Sequence, residues 1–328
     1  MAGRCCFLFG CHGKQASSTF SSLLLAMFGL SAVSLRLLFD DARKWFLIST
    51  LAISPVQLVF DAPFGRFTPS QDSIFLVDGI KSWIVMELVS PTFFLYALFR
   101  GPSAGPPALT SQHGILALAF LLHYLNRALI SPLRTPSRSK AHISVPLAAA
   151  AFNTLNGSLM GSFIAAPAAP APRVYFVAGL ALWAFGFAGN VAHDEILANI
   201  RRRARAKPKT APGEHYAIPH GLLFRFVSFP NYLCEWIEWL GFALAADPRL
   251  AQALLGGTLF SGASREAAVT ALRGPAAAFL PLVSPPWVFL IAEIAIMFQR
   301  AYRGHRWYQS KFGDNYPKER RIVVPFVL

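Results

Sequence analysis

Long apolar blocks separated by short polar connections constrain this chain more than any single motif. The block at 80–99 contains one acid, Glu87, and the blocks at 114–133 and 174–197 are of similar length. A helix needs about 20 predominantly apolar residues to cross a bilayer. We therefore predict an all-α protein, a polytopic transmembrane bundle of seven to eight helices.

The composition excludes an ordinary soluble multidomain enzyme. Of the 328 residues, 54% are hydrophobic and 14% are charged, whereas soluble domains carry about 25% charged residues. The net charge of +14 does not indicate nucleic acid, because the basic residues lie mainly between apolar blocks, as the positive-inside rule describes. Eight spans place the basic segments 134–140, 201–209 and 299–328 on the cytosolic side. Seven spans result if the first block, 19–39, is not inserted.

Residues 1–44 are predicted to form an N-terminal extension with an additional membrane anchor at 19–39, and residues 45–328 the main membrane domain. Pro55 is expected to kink the block at 45–60, and three prolines are expected to kink or break the block at 275–298. The four cysteines form no disulfide framework, and no metal site is expected from their spacing.

The block at 143–165 contains Gly157 and Gly161. Small residues four apart let two membrane helices approach closely. The sequence therefore predicts close helix packing here.

Polar residues concentrate between Gly189 and Gly241, where an apolar segment ends in a basic run. Asn190 and Asp194 are four residues apart and share one face of a helix, with Arg201 about two turns further on. Such a row suits a ligand carrying phosphates, because a guanidinium donates two parallel hydrogen bonds. An ordinary solvated helix end explains the spacing equally well.

Three acids and an amide interrupt otherwise apolar segments. Ionisable groups are costly in a bilayer, so Glu87, Asn231 and Glu235 are interpreted as site residues. Glu238, three residues after Glu235, is interpreted as a structural anchor that holds a neighbouring helix. If their blocks are adjacent, Glu87 and Tyr124 are predicted to form a hydrogen-bonded pair that polarises a carbonyl and supplies a proton.

The chain contains no Gly-x-Gly-x-x-Gly, Walker-type, His-Glu-x-x-His or Gly-x-Ser-x-Gly motif. Its strongest signals are whole segments: APFGRFTP, SWIVMEL, LHYLNR, FNTLNGSLMG, HYAIPHGLLFRFVS, PNYLCEWIEWLGFAL and RAYRGHRWYQSKFGDNYPKERRIVVPF. In this order they resemble the steroid 5α-reductases, from about residue 45 to the end.

The resemblance implies a membrane bundle of the endoplasmic reticulum that uses NADPH to reduce the C=C bond of a lipophilic α,β-unsaturated ketone, with a 3-oxo-Δ4 steroid as the leading candidate. Tyr124 would then donate the proton and Glu87 would orient it. Residues 174–328 would form the NADPH-binding part. The cofactor-binding candidates are Arg127, Asn190, Asp194, Arg201, Tyr216, Asn231, Glu235, His305, Tyr308 and Arg320. The expected partners are the bilayer and a steroid-like small molecule, and the oligomeric state is open.

Several alternatives remain at this stage. Met86 stands where animal members have Gln, and Gly304 replaces one of their histidines, which bears on the substrate more than on the cofactor. A very-long-chain enoyl-CoA reductase, a polyprenol reductase and an isoprenylcysteine-type methyltransferase have similar C-terminal regions. A non-catalytic lipid-binding protein of the same fold is a further alternative.

Overall fold

The fold of the chain was analysed in a computed structural model. The structure describes residues 32–60, 62–68, 73–100, 105–167, 169–206, 217–257, 266, 269–270 and 272–327. The expected membrane anchor at 19–39 and the candidate Tyr216 lie largely or wholly outside these residues.

The described chain is mostly helical, as the sequence predicts. The longer helices are α1 (Ala32–Ile53), α2 (Gly79–Arg100), α3 (Gln112–Tyr124), α5 (Ser144–Ala165), α6 (Arg173–Ala206), α7 (Pro230–Ala246) and α9 (Pro285–Phe312). Two short helices are α4 (Ser131–Arg134) and α8 (Arg249–Leu255). A π-helical turn, Leu125–Ile130, joins α3 to α4.

Among the described residues, three helical stretches are long and apolar enough to cross a membrane: Gly79–Arg100, Gln112–Arg134 and Arg173–Ala206. They indicate a membrane protein. The predicted count of seven to eight spans is not confirmed by them. One reason is visible in α7, which has only 17 residues because it begins at Pro230.

The prolines expected to kink helices lie at helix ends. The α-helical part of α1 ends at Ile53, and Pro55 belongs to the 3-10 turn Ser54–Leu58 that follows. Pro285 and Pro286 are the first two residues of α9, where a missing backbone N–H has no cost and the fixed φ suits the helix. The predicted break within 275–298 is confirmed, because residues 275–284, which include Pro281, form a 3-10 turn and irregular chain, and α9 begins only at Pro285 and continues to Phe312.

The helix α1 also passes without a break through Asp40–Lys44, the segment at which the sequence suggested a boundary. Arg43 and Lys44 are buried rather than solvated. The guanidinium of Arg43 donates to the carbonyl oxygens of Phe279, Leu280 and Val283 at 2.6–3.1 Å. This contact ties α1 to the segment that precedes α9.

Two helix pairs form the centre of the bundle, α2 with α5 and α6 with α7. A Cβ atom on Gly157 would lie 2.2 Å from the carbonyl oxygen of Ser90, and one on Gly161 would lie 2.4 Å from that of Phe94. The close packing predicted for these two glycines is thus confirmed. At Gly186 of α6, a Cβ would lie 2.3 Å from the backbone nitrogen of Glu238 on α7.

Short strands and bridges fix the connections around the site. Strand β1 (Leu76–Val77) pairs antiparallel with β2 (Ala141–His142), which brings the loop after α4 to the start of α2. A parallel bridge between Val227 and Arg321 joins the C-terminal segment to the residues that precede α7.

Candidate functional site

Six of the predicted site residues, the acid Glu87 and five cofactor candidates, form one continuous polar cluster between the two helix pairs. Arg127 lies at its centre. Its Nε is 3.2 Å from Glu87 Oε1, and its Nη1 is 2.8 Å from Glu235 Oε1. The guanidinium therefore joins α2 to α7 from the π-helical turn.

The cluster continues from α7 to α6. Asn190 Nδ2 donates to Glu235 Oε2 at 3.3 Å and to the carbonyl oxygen of Asn231 at 3.0 Å. Asn231 Nδ2 donates to Asp194 Oδ1 at 3.1 Å. The predicted shared face of Asn190 and Asp194 is thus confirmed, because both side chains meet the same stretch of α7.

The π-helical turn explains how one short segment contributes two site residues. Tyr124 ends α3, and Arg127 follows within the π turn. Single π-helical turns are rare and occur often at functional sites. The backbone carbonyl of Arg127 accepts a hydrogen bond from Trp83 Nε1 at 3.2 Å, which fixes the turn against α2.

Glu87 and Tyr124 are both buried, with 5% and 3% of their surface exposed. The structure gives them different polar partners. Glu87 contacts Arg127, whereas the hydroxyl oxygen of Tyr124 accepts a hydrogen bond from Asn156 Nδ2 at 3.1 Å. Asn156 also donates to Ser90 Oγ, three residues after Glu87 on α2. The two predicted catalytic residues therefore lie on neighbouring helices, and the predicted direct hydrogen bond between them is not among the contacts of the described residues.

A second cluster contains the predicted C-terminal residues. His305 Nδ1 and the hydroxyl of Tyr316 each lie 2.6 Å from Ser228 Oγ. The ring of Tyr308 stacks on that of Tyr316 at 5.4 Å, and the guanidinium of Arg320 lies 5.1 Å from the same ring. Ser228 precedes α7 by two residues, so this cluster and the Arg127 cluster flank the start of one helix.

Some buried donors and acceptors remain without a partner inside the described part of the chain. Those at the two polar clusters and their edge include Nε and Nη1 of Arg320, Nη1 of Arg138 and Oδ1 of Asn231. Buried polar groups in folded proteins are nearly always hydrogen-bonded. Three cationic N–H groups without partners fit phosphate oxygens.

The sequence led us to interpret Arg138 only as a charge that sets membrane topology. In the structure its guanidinium lies 3.7 Å from the ring centre of Trp83. Burial, and secondarily the positive charge of Arg201, lower the pKa of Arg138 to about 10. Arg201, a predicted cofactor residue, therefore lies near it, at the same edge of the site as Asp194.

Two residues of the site, Asn156 and Glu293, were not predicted. Asn156 was given no role from the sequence, although it and Asn153, one turn earlier, are two amides in an apolar block and thus an available signal. Glu293 is a buried acid within the apolar part of α9, close enough to Glu235 and Arg127 for their charges to interact. As in the case of Glu87, a single acid in an apolar segment would have identified it.

Glu238, interpreted from the sequence as a structural anchor, has that kind of contact. Its Oε1 lies 2.7 Å from His123 Nδ1 on α3, and both side chains are almost fully buried. The His123 ring packs edge-on against Tyr124 and Trp239. This pair links α7 to α3 directly behind Tyr124.

The fold and the site together define a helical membrane protein with a buried cluster of charged and amide side chains. The sequence profile described as 3-oxo-5-alpha-steroid 4-dehydrogenase matches residues 139–261 and 278–328, more than half of the chain. The chain belongs to this family, the steroid 5α-reductases.

Individual relatives agree with the profile. An uncharacterized protein of Schizosaccharomyces pombe is 34% identical over 88% of this chain and 99% of its own length. The rat 3-oxo-5-alpha-steroid 4-dehydrogenase 1 is 31% identical over 81% of this chain and 86% of its own length. A steroid 5-alpha-reductase of Solanum lycopersicum is 29% identical over 82% and 88%, respectively. The matches support a reductase of this family.

Proposed function

We propose that this protein reduces the C=C bond of a lipophilic α,β-unsaturated ketone with NADPH, and that a 3-oxo-Δ4 steroid is converted to the 5α-steroid. The observation that carries the proposal is the continuous contact from Glu87 through Arg127 and Glu235 to Asn190. It joins the acid expected at the ketone to the residues expected at the cofactor.

The ketone half of the site requires a proton donor and a group that stabilises the developing enolate. Tyr124 is the proton donor, because Asn156 donates to its oxygen and the hydroxyl proton can turn from the neighbouring Ser90 Oγ to the substrate oxygen. Glu87 cannot orient Tyr124 through a direct contact in this arrangement. We propose instead that Glu87 holds Arg127, and that Arg127 holds the turn that follows Tyr124.

The cofactor half fits a dinucleotide phosphate. Arg138, Arg201 and Arg320 would hold its phosphates, and Asn190, Asp194, Asn231 and Glu235 its amide and hydroxyl groups. Arg127, His305 and Tyr308 would line the remainder, and Tyr216 lies outside the described residues. When bound, NADPH supplies the hydride.

We further propose that the protein resides in the endoplasmic reticulum membrane and takes its substrate from the bilayer. The three apolar spans support the membrane location. The basic residues at the end of α6 support a cytosolic position for the phosphates.

Membranes containing the protein would first be tested with NADPH and three substrates: a 3-oxo-Δ4 steroid, a long-chain enoyl-CoA and a polyprenol-type enone. Products would be identified by mass and stereochemistry. The proposal predicts a 5α-reduced steroid. Turnover of only another substrate would retain the cofactor assignment and reject the steroid, and absence of NADPH binding would favour the non-catalytic alternative.

Variants separate the two halves of the site. Glu87→Gln and Tyr124→Phe should bind NADPH normally and lose turnover. Arg201→Ala should weaken NADPH binding roughly 10- to 100-fold, the equivalent of one lost charge-assisted hydrogen bond. Arg173→Ala is the matched control, because this exposed arginine lies about 40 Å away at the other end of the same helix.

A further inference from the structure

Helix α5 carries two buried amides, Asn153 and Asn156, that face the helices of the predicted catalytic residues. Their exposed fractions are 5% and 2%. They can reach α2 because Gly157 lets the two backbones touch. Two neighbouring amides from one helix therefore contact the catalytic region in different ways.

Asn153 forms its hydrogen bond with the backbone of α2. Its Nδ2 donates to the carbonyl oxygen of Met86 at 2.7 Å, immediately before Glu87. Asn156 binds side chains, and its Nδ2 donates to Tyr124 Oη at 3.1 Å and to Ser90 Oγ at 3.3 Å. Only Asn156 is hydrogen-bonded to an atom that would change charge during the reaction.

The direction of the hydrogen bond between Asn156 and Tyr124 matters for catalysis. An amide nitrogen can donate but not accept, so Tyr124 Oη is the acceptor. The hydroxyl proton of Tyr124 must then point to another acceptor; Ser90 Oγ is one such neighbour, and the substrate oxygen would be the other. In a buried site this preference is strong, because an unmade hydrogen bond is costly there.

We infer that Asn156 is a positioning residue that directs the Tyr124 hydroxyl proton toward the substrate oxygen and stabilises the phenolate left after proton transfer. The inference rests on the proposed function. In that step the Tyr124 O–H bond breaks and an O–H bond to the enolate oxygen forms. The negative charge moves to Tyr124 Oη, which faces the amide hydrogens. The enol then becomes the saturated ketone as its α-carbon takes a proton from water and its oxygen gives up its proton, which returns through solvent to the Tyr124 phenolate.

Two substitutions at Asn156 test the inference. Asn156→Asp keeps the shape but replaces the donor with an acceptor, so Tyr124 would donate to it and turn its proton away from the substrate. Asn156→Leu removes the donor at similar volume. A hydrogen bond to a charged group corresponds to roughly a 10- to 100-fold change, so kcat should fall by that factor, with NADPH affinity unchanged.

A variant that is only less stable than the wild-type protein would keep the same rate-limiting step. We therefore expect the solvent deuterium isotope effect on kcat to rise in both Asn156 variants, because proton transfer becomes limiting. The matched control is Asn153→Leu, which loses an amide contact of the same kind from the same helix. It should lower stability while leaving the solvent isotope effect at the wild-type value.

A readout independent of turnover is a 19F label on the Tyr124 ring, introduced as 3-fluorotyrosine. Its resonance should shift in both Asn156 variants and stay in place in Asn153→Leu. Wild-type-like kcat, isotope effect and resonance in the Asn156 variants would overturn the inference and leave the proposed function intact. If the wild-type protein reduces no enone, the proposed reaction and the catalytic part of the inference both fail. If, in addition, the 19F resonance of Tyr124 stays in place in the Asn156 variants, the Asn156–Tyr124 hydrogen bond is rejected as well.

Discussion

Replacing Arg127 with lysine separates the two contacts that this guanidinium makes. Nε contacts Glu87 and Nη1 contacts Glu235, at 3.2 and 2.8 Å. A lysine ammonium is a single point charge and cannot reproduce two contacts made in different directions. One charge-assisted contact should be lost, and such contacts contribute about 1.5–3 kcal/mol each.

We therefore expect Arg127→Lys to lower the free energy of unfolding by about 2 kcal/mol. The control is Arg134→Lys, seven residues later. Arg134 Nη2 lies 3.1 Å from Glu195 Oε2, but the two side chains are 55% and 35% exposed. An exposed pair contributes at most about 1 kcal/mol, so the same substitution should have a small effect there.

Both variants would be unfolded in mixed detergent micelles with increasing denaturant, followed by tryptophan fluorescence. A double-mutant cycle between Arg127→Lys and Glu87→Gln would then measure the coupling directly. Equal losses in Arg127→Lys and Arg134→Lys, together with no coupling to Glu87, would refute the view that this guanidinium joins the helix pairs.

Three other substitutions test separate features. Gly157→Ala forces a Cβ against a backbone carbonyl of α2 and should cost about 1–3 kcal/mol, measured by the same unfolding assay; an unchanged midpoint would contradict the close packing. Arg43→Leu removes three hydrogen bonds to residues 279–283, so proteolysis of that segment should accelerate, and a wild-type cleavage rate would contradict this role. Burial raises the pKa of Asp247, but hydrogen bonds from Arg249 outweigh it and the net pKa is lowered. The stability advantage over Asp247→Asn should therefore be full at neutral pH and decline progressively once the pH falls below about 4, whereas an advantage that persists undiminished in stronger acid would exclude this pair as its source.

Local spacing in the sequence correctly predicted features that lie within one helix. The shared face of Asn190 and Asp194 follows from helical geometry alone, and Gly157 with Gly161 indicated close approach. Local spacing could not predict which neighbouring helix each of these helix faces contacts. Asn156 contacts Tyr124 only because α5 packs beside α2, and the pattern within a single block does not specify its neighbour.

Charges with two possible explanations were the main source of error. Arg138 fits the positive-inside rule, so its sequence context offered no reason to place it in the site. The prolines of the block 275–298 correctly indicated a break, but the sequence did not show that Pro285 and Pro286 would begin the next helix. The assay with three substrates described above tests whether the substrate is a steroid.

The π-helical turn Leu125–Ile130 has a consequence for how this sequence can change over evolutionary time. An α-helix rotates by about 100° per residue, and a π turn accommodates one additional residue without altering the helices on either side. Loss of a single codon within this turn would convert it to regular α-helix and turn Arg134 and the following loop away from α6. Lineages that carry this arrangement should therefore tolerate substitutions in the turn, except at Arg127, far more readily than any change in its length.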